Sequence, residues 1–150
     1  MTDRALGTTT IVQVGLVVRD IEATARAWAA TFDLPMPEIE ITDAVDLAHT
    51  EYQGRLSTAR ARLAFFRMGQ VAVELIEPIG EPSTWQDHLD THGAGLHHIA
   101  FRIKGMPERL AYLDANGIPL VQRGDYTGGR YAYVDATSSL GLILELLEDD

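Results

Sequence analysis

Four polar side chains fall within mostly apolar, strand-like stretches: Gln13 in VQVGLVV, Glu74 in VAVELIE, His98 in LHHIAFRI and Glu145 in LILELLE. One imidazole nitrogen, one amide oxygen and two carboxylates make a donor set suited to a divalent ion such as Zn, Co, Ni, Mn or Fe(II). The chain has no cysteine, which excludes disulfides, thiolate ligands and a cysteine nucleophile. Any metal must therefore be held by nitrogen and oxygen. Taken singly, each of the four reads as an ordinary solvated or hydrogen-bonded residue. Their weight as a group comes from where they fall in the chain.

The segment QVGLVVRDIEATARAWAATFDLP from Gln13 runs in parallel with HIAFRIKGMPERLAYLDANGIPL from His98. In each, an alternating strand is followed by apolar residues at helical spacing (Ile21, Ala25, Trp28 and Phe32; Met106, Leu110 and Leu113) and then by turn residues. The later strands repeat as well: Glu74, Leu75 and Glu77 match Glu145, Leu146 and Glu148. Two copies of a strand-helix-strands module, about residues 8 to 80 and 94 to 149, make up a single domain of 150 residues. The linker between them, IGEPSTWQDHLDTHGAG, contains a helix start at Pro82-Ser83-Thr84 with Trp85, His88 and Leu89 at helical spacing. His88 and His92 read as surface residues of that linker helix.

Alternation assigns the faces. Val14, Leu16 and Val18, then Ile99, Phe101 and Ile103, then Leu142, Leu144 and Leu146 form the core sets. Gln13, Gly15 and Val17; Ala72, Glu74 and Ile76; His98, Ala100 and Arg102; and Ile143, Glu145 and Leu147 share the opposite face. His97 falls on the core side, so the two adjacent histidines have different roles. Gln13 with His98, and Glu74 with Glu145, occupy equivalent places in the repeat. Packing of the modules about a pseudo-twofold axis brings the four to one point.

The copies differ in length: 61 residues separate Gln13 from Glu74, against 47 between His98 and Glu145, which leaves 14 extra in the first copy. The surplus predicts a long loop, roughly residues 36 to 60, lying over the site as a lid or as a solvated insert. The formal charge of −10, from 22 acids and 12 bases, argues against nucleic acid or an anionic membrane surface as a partner. Without a signal-like or spanning apolar run, the expected location is the cytoplasm.

These stretches resemble the vicinal oxygen chelate superfamily, from about Ile11 to Glu148. STWQDHLDTHGAGLHHIAFRI followed by YTGGRYAYVDATSSLGLILELLE is most similar to methylmalonyl-CoA epimerases. The resemblance implies an α+β fold of two βαβββ modules forming a cupped, mostly antiparallel sheet, and commonly a homodimer. It places His98, Glu74 and Glu145 on metal-ligand positions and gives His97 a buried partner role. Gln13 stands where epimerases carry histidine, and the resulting Gln, Glu, His, Glu set matches the eukaryotic type of glyoxalase I. The implied activity is proton abstraction beside a metal-chelated carbonyl through an enolate, on a small carbonyl substrate such as a CoA thioester. Glu145 is the first candidate for general base and Glu74 the second. Arg102, on the face of His98, and Arg62, in the stretch where some epimerases place an acidic base, are the candidate substrate-binding cations. A glyoxalase I-like lyase, another metal-dependent lyase, hydrolase or cyclase, and a non-catalytic binding or resistance protein are the alternatives.

Overall fold

The structure is a computed structural model and describes residues 5–150; residues 1–4, part of the N-terminal stretch read above for a signal, lie outside the described residues. The first module runs β1 (Gln13–Val17), α1 (Ile21–Phe32), β2 (Glu40–Ile41), α2 (Val45–Ala48), β3 (Glu51–Tyr52), β4 (Arg55–Leu56), β5 (Arg60–Met68) and β6 (Val71–Ile79). After the linker helix α3 (Thr84–His92), the second runs β7 (Gly95–Arg102), α4 (Met106–Ala115), β8 (Leu120–Tyr126), β9 (Gly129–Ala136), α5 (Thr137–Leu140) and β10 (Leu142–Asp149). The strands form one sheet in the order β2-β5-β6-β1-β7-β10-β9-β8-β3-β4. Its pairings are antiparallel except β1 with β6 and β7 with β10. This is the α+β, mostly antiparallel architecture that the family resemblance implies.

The equivalent first strands, β1 and β7, are antiparallel neighbours at the middle of the sheet, and each has the glutamate-bearing strand of its own module as its parallel neighbour. Burial follows the predicted faces. Ile21, Ala25 and Ala29 of α1 cover Ala64, Phe66, Val73 and Leu75, while Met106 and Leu113 of α4 cover Ile103, Leu144 and Leu146. Asp20 caps α1 by accepting from the Ala23 amide, and Asp33 closes it in the left-handed conformation. The matched glutamates of the repeat make a second pair of caps. Glu77 accepts from Ile21 N at 2.9 Å, and Glu148 accepts from Gly105 N at 2.6 Å, so each carboxylate sits at the positive end of its module's helix. No helix among the described residues is long and apolar enough to cross a membrane.

The insert is not the structureless loop its length suggests. β2 pairs with β5 at one side of the sheet, and β3 pairs with β8 at the other, with α2 between them. The strap therefore bridges the two edges of the curled sheet, which also meets the need of exposed edges for backbone partners. His49, at the end of α2, is tied to Asp125 of β8 at 2.9 Å.

Candidate metal centre

β1 and β7 bring Gln13 and His98 together, and the parallel neighbours add Glu74 and Glu145 from either side. His98 Nε2 lies 3.0 Å from Glu145 Oε1, 3.2 Å from Gln13 Oε1 and 3.5 Å from Glu74 Oε1. His98 is 0 % exposed, Glu145 4 % and Glu74 7 %. Burial holds His98 down at about 3, so its imidazole is neutral and Nε2 can offer a lone pair. Burial pushes both carboxyls above the ordinary carboxylate range, and for Glu74 the charge of Glu145 adds to the rise. A hydrogen bond from Tyr133 and the charge of Arg102 oppose the rise at Glu145.

This donor set fits a divalent cation. Ligand atoms of Glu74, His98 and Glu145 all lie within 4.8 Å of one another, and the Gln13 amide oxygen points to the same place. The Gln13 amide is consistent with the same logic. With Oε1 inward it faces only acceptors; turned over, its nitrogen would donate to Glu145 at 2.8 Å and to Glu74 and His98 at 3.2 Å. One orientation offers an oxygen to a cation and the other donates to the carboxylates.

Sequence periodicity puts His97 and His98 on opposite faces, and here the structure departs from it. Gly15 pairs with His98 but Leu16 pairs with Leu96, so His97 is the extra residue of a β-bulge. The bulge brings both rings against Tyr133, with centroids 5.1 and 5.0 Å away. His97 Nδ1 then lies 2.8 Å from His98 Nδ1, and its Nε2 lies 3.1 Å from Thr84 Oγ1. With His98 protonated on Nδ1 and donating to His97, Nε2 is left facing the cluster. Gly15 provides the room for this ring, because a Cβ there would meet His98 Cε1 at 2.0 Å.

The other candidate residues separate. Arg102 reaches the cavity and is paired with Asp149 at 2.7 Å, rather than with Glu74 or Glu145. Arg62 is not brought to the site. It lies on the helix side of β5, where it meets Glu22 at 2.9 Å and Glu77 at 3.4 Å, because residues 63 and 65, not 62, have the parity that lines the cavity. His88 and His92 lie on α3 with ring centroids 5.0 Å apart; His92 is exposed and His88 half-buried against His97. Trp85 and Tyr133 were missed by the sequence reading. Trp85 Nε1 donates to the Tyr133 hydroxyl at 3.0 Å, and Tyr133 in turn is hydrogen-bonded to Glu145, its cross-strand neighbour. The alternation of Tyr131 and Tyr133 on one face of β9 was the available signal.

Above the cluster lies a cavity of about 580 Å³. Its walls include Phe65, Trp85, Tyr131 and Tyr133, and the strap contributes Glu40, Thr42, Asp43 and Thr50. Residues 12–134 match the family described as the Glyoxalase/Bleomycin resistance protein/Dioxygenase superfamily. The chain belongs to that superfamily. Over 100 residues, 65% of this chain and 71% of the relative, it is 32% identical to the uncharacterized protein YqjC of Bacillus subtilis (strain 168). Among solved structures it shares its fold with the hypothetical protein BH1468 from Bacillus halodurans C-125 (TM-score 0.66, 22% identity, 94% of each chain). Methylmalonyl-CoA epimerase from Mycobacterium tuberculosis has the same fold (TM-score 0.65, 21% identity, 100% of this chain and 93% of that one). So does a methylmalonyl-CoA epimerase in complex with methylmalonyl-CoA and NH4+ (TM-score 0.63, 22% identity, 94% of each chain).

Proposed function

We propose that this superfamily member is a divalent-metal-dependent enzyme that removes a proton beside a substrate carbonyl, as an epimerase or isomerase does. The observation that carries the reading is the convergence of Gln13, Glu74 and Glu145 oxygens on His98 Nε2 at the floor of the cavity. A divalent ion of the Co, Zn, Ni, Mn or Fe(II) class would supply Lewis-acid polarisation of the carbonyl oxygen and so acidify the adjacent C–H.

Glu145 is the residue proposed to take the proton, with Glu74 as the second choice. Tyr133 limits the orientations open to the Glu145 carboxylate, and the positive charge of Arg102 favours its ionised form. Arg102 faces the cavity as a substrate-binding cation. A CoA thioester is the proposed substrate, because an epimerase of this fold has been solved with methylmalonyl-CoA. Gln13 in the donor set favours including a glyoxalase I-like isomerisation as the second activity to assay.

The test begins with metal content and metal titration of the chelator-stripped chain. About one divalent ion per chain, lost in His98→Ala, is the expected result, followed by deuterium wash-in to methylmalonyl-CoA or isomerisation of a hemithioacetal. No tight binding of any divalent ion would overturn the metal-dependent reading.

A further inference from the structure

A second cavity, of about 540 Å³, shares Gln13, Phe65, Arg102 and Leu147 with the first and extends it past β5 and β6 to Arg67 and Gln70. Apart from the cluster glutamates and Asp149, which pairs with Arg102, the charges lining the two are segregated. On the strap side the walls carry Glu40, Asp43 and Asp125, and no arginine or lysine. The cations lining either cavity are Arg102 and Arg67, and both border the second one.

The sheet register places these two arginines around the metal cluster. Arg67 pairs with Ala72, Ala72 with Gln13, and Gln13 with Ala100, two residues before Arg102. All are on the cup side. Arg67 thus lies on the row of Gln13, two strands or roughly 10 Å away, while Arg102 flanks Gln13 from β7. Arg102 is held by Asp149 and by the Tyr126 hydroxyl. Arg67 is exposed and makes no hydrogen bond or ion pair among the described residues, which leaves its whole guanidinium available to a ligand. An anionic group on a cavity ligand is repelled by the strap carboxylates and has one favourable place to go.

We propose that Arg67 and Arg102, with Gln70 beside them, form an anion subsite that receives a carboxylate or phosphate carried by the substrate on the side of the carbonyl away from the strap. The inference rests on the metal-dependent reading of the neighbouring cluster and adds to it the class and orientation of substrate. Guanidinium groups bind either anion through paired N–H donors.

The experiment is calorimetric titration of the full chain, loaded with Mn(II), with two pairs of probes. Dihydroxyacetone phosphate is compared with dihydroxyacetone, and 5-hydroxy-4-oxopentanoate with its methyl ester; each pair keeps the hydroxycarbonyl and differs in the remote anion. At least tenfold tighter binding of the charged partner, in the phosphate pair, the carboxylate pair or both, is expected, and the larger ratio identifies the anion. R67Q should remove most of that preference while leaving the Mn(II) affinity of the chain unchanged; R102Q should also remove most of it, with a weaker Mn(II) site because the Arg102 charge favours the ionised form of Glu145. Equal affinity within both pairs, or a preference that survives in both variants, would overturn the subsite. Failure of the parent chain to take up Mn(II) or any other divalent ion instead overturns the metal reading on which the subsite rests, so the two failures are told apart by the metal titration.

Discussion

His97 Nδ1 and His98 Nδ1 stand 2.8 Å apart because a β-bulge turns two adjacent rings toward one another. Donated from His98, this bond leaves Nε2 unprotonated for a cation, and His97 is itself anchored through Thr84 at the start of α3. Replacing His97 by Phe leaves the His98 Nδ1–H without an acceptor in a buried site. We expect metal affinity to fall by about 10- to 100-fold and stability by about 1–3 kcal/mol, whereas His98→Ala abolishes metal binding. Metal titration and urea unfolding of the two variants check this. Unchanged metal affinity in His97→Phe would mean that His97 does not orient the ligand.

Gly15 is required by its neighbour rather than by its own backbone, since no positive φ occurs there. A methyl group at this position would overlap the His98 ring, with 2.0 Å to Cε1 and 2.6 Å to Nε2. Gly15→Ala is expected to lower metal affinity by more than about tenfold, together with an overpacking cost of about 1–3 kcal/mol. Gly124→Ala is the matched control, because its Cβ would press on the Tyr131 ring at 2.7 Å, away from His98. It should lose stability while keeping metal affinity. Equal metal affinities in the two variants would contradict the link from Gly15 to His98.

The buried carboxyls make a prediction about pH for the metal-free protein. Their folded pKa values are raised, so the folded chain binds more protons than the unfolded one until those protons leave, up to about pH 8 for Glu145. Stability contributed this way is present at low pH and is lost as pH rises. His88, His97 and His98 are held low by burial and act in the opposite direction, an effect that is fullest well below about pH 6.5 and fades as the unfolded histidines lose their protons above it. Between pH 6.5 and 8 the histidine contribution fades and the carboxyls outweigh it. Thermal unfolding of the chelated protein should therefore shift to lower temperature across that interval, and the shift should vanish or reverse with a saturating divalent ion, whose binding needs both carboxylates ionised. A flat profile without metal would count against the raised carboxyls.

Much of this arrangement was legible in the sequence because period-two alternation and an internal repeat are both local signals. Together they located β1, β6, β7 and β10, their buried faces and the four residues of the cluster. Symmetry alone was less discriminating than it looks: Glu77 and Glu148 are matched as well as Glu74 and Glu145, yet they cap α1 and α4. Parity separates the two pairs, and the same test applied to β5 would have placed Arg62 on the helix side. What escaped were features set by partners distant in the chain. The bulge at His97 depends on register against β1, the strap depends on which sheet edges β2 and β3 find, and Tyr133 meets Glu145 only once β9 pairs with β10. None of these leaves a mark in a single stretch of residues.

Glu145 is asked to do two things, to help hold a cation and to accept a proton, and a substitution can separate them. In Glu145→Gln the side chain keeps its shape, an oxygen able to face the cation, and an acceptor for the Tyr133 hydroxyl, so the fold and a weakened metal site should survive. The carboxamide cannot take a proton at any accessible pH. Deuterium wash-in to methylmalonyl-CoA, or hemithioacetal isomerisation if that is the activity found, is therefore expected to drop by about 10²- to 10⁴-fold in protein whose metal content is measured alongside. Tyr133→Phe removes only the bond that orients the carboxylate, and should lower turnover less than Glu145→Gln does while retaining metal. Turnover within a few-fold of the parent in metal-loaded Glu145→Gln would remove Glu145 as the base and pass the role to Glu74, the other carboxylate of the cluster on His98.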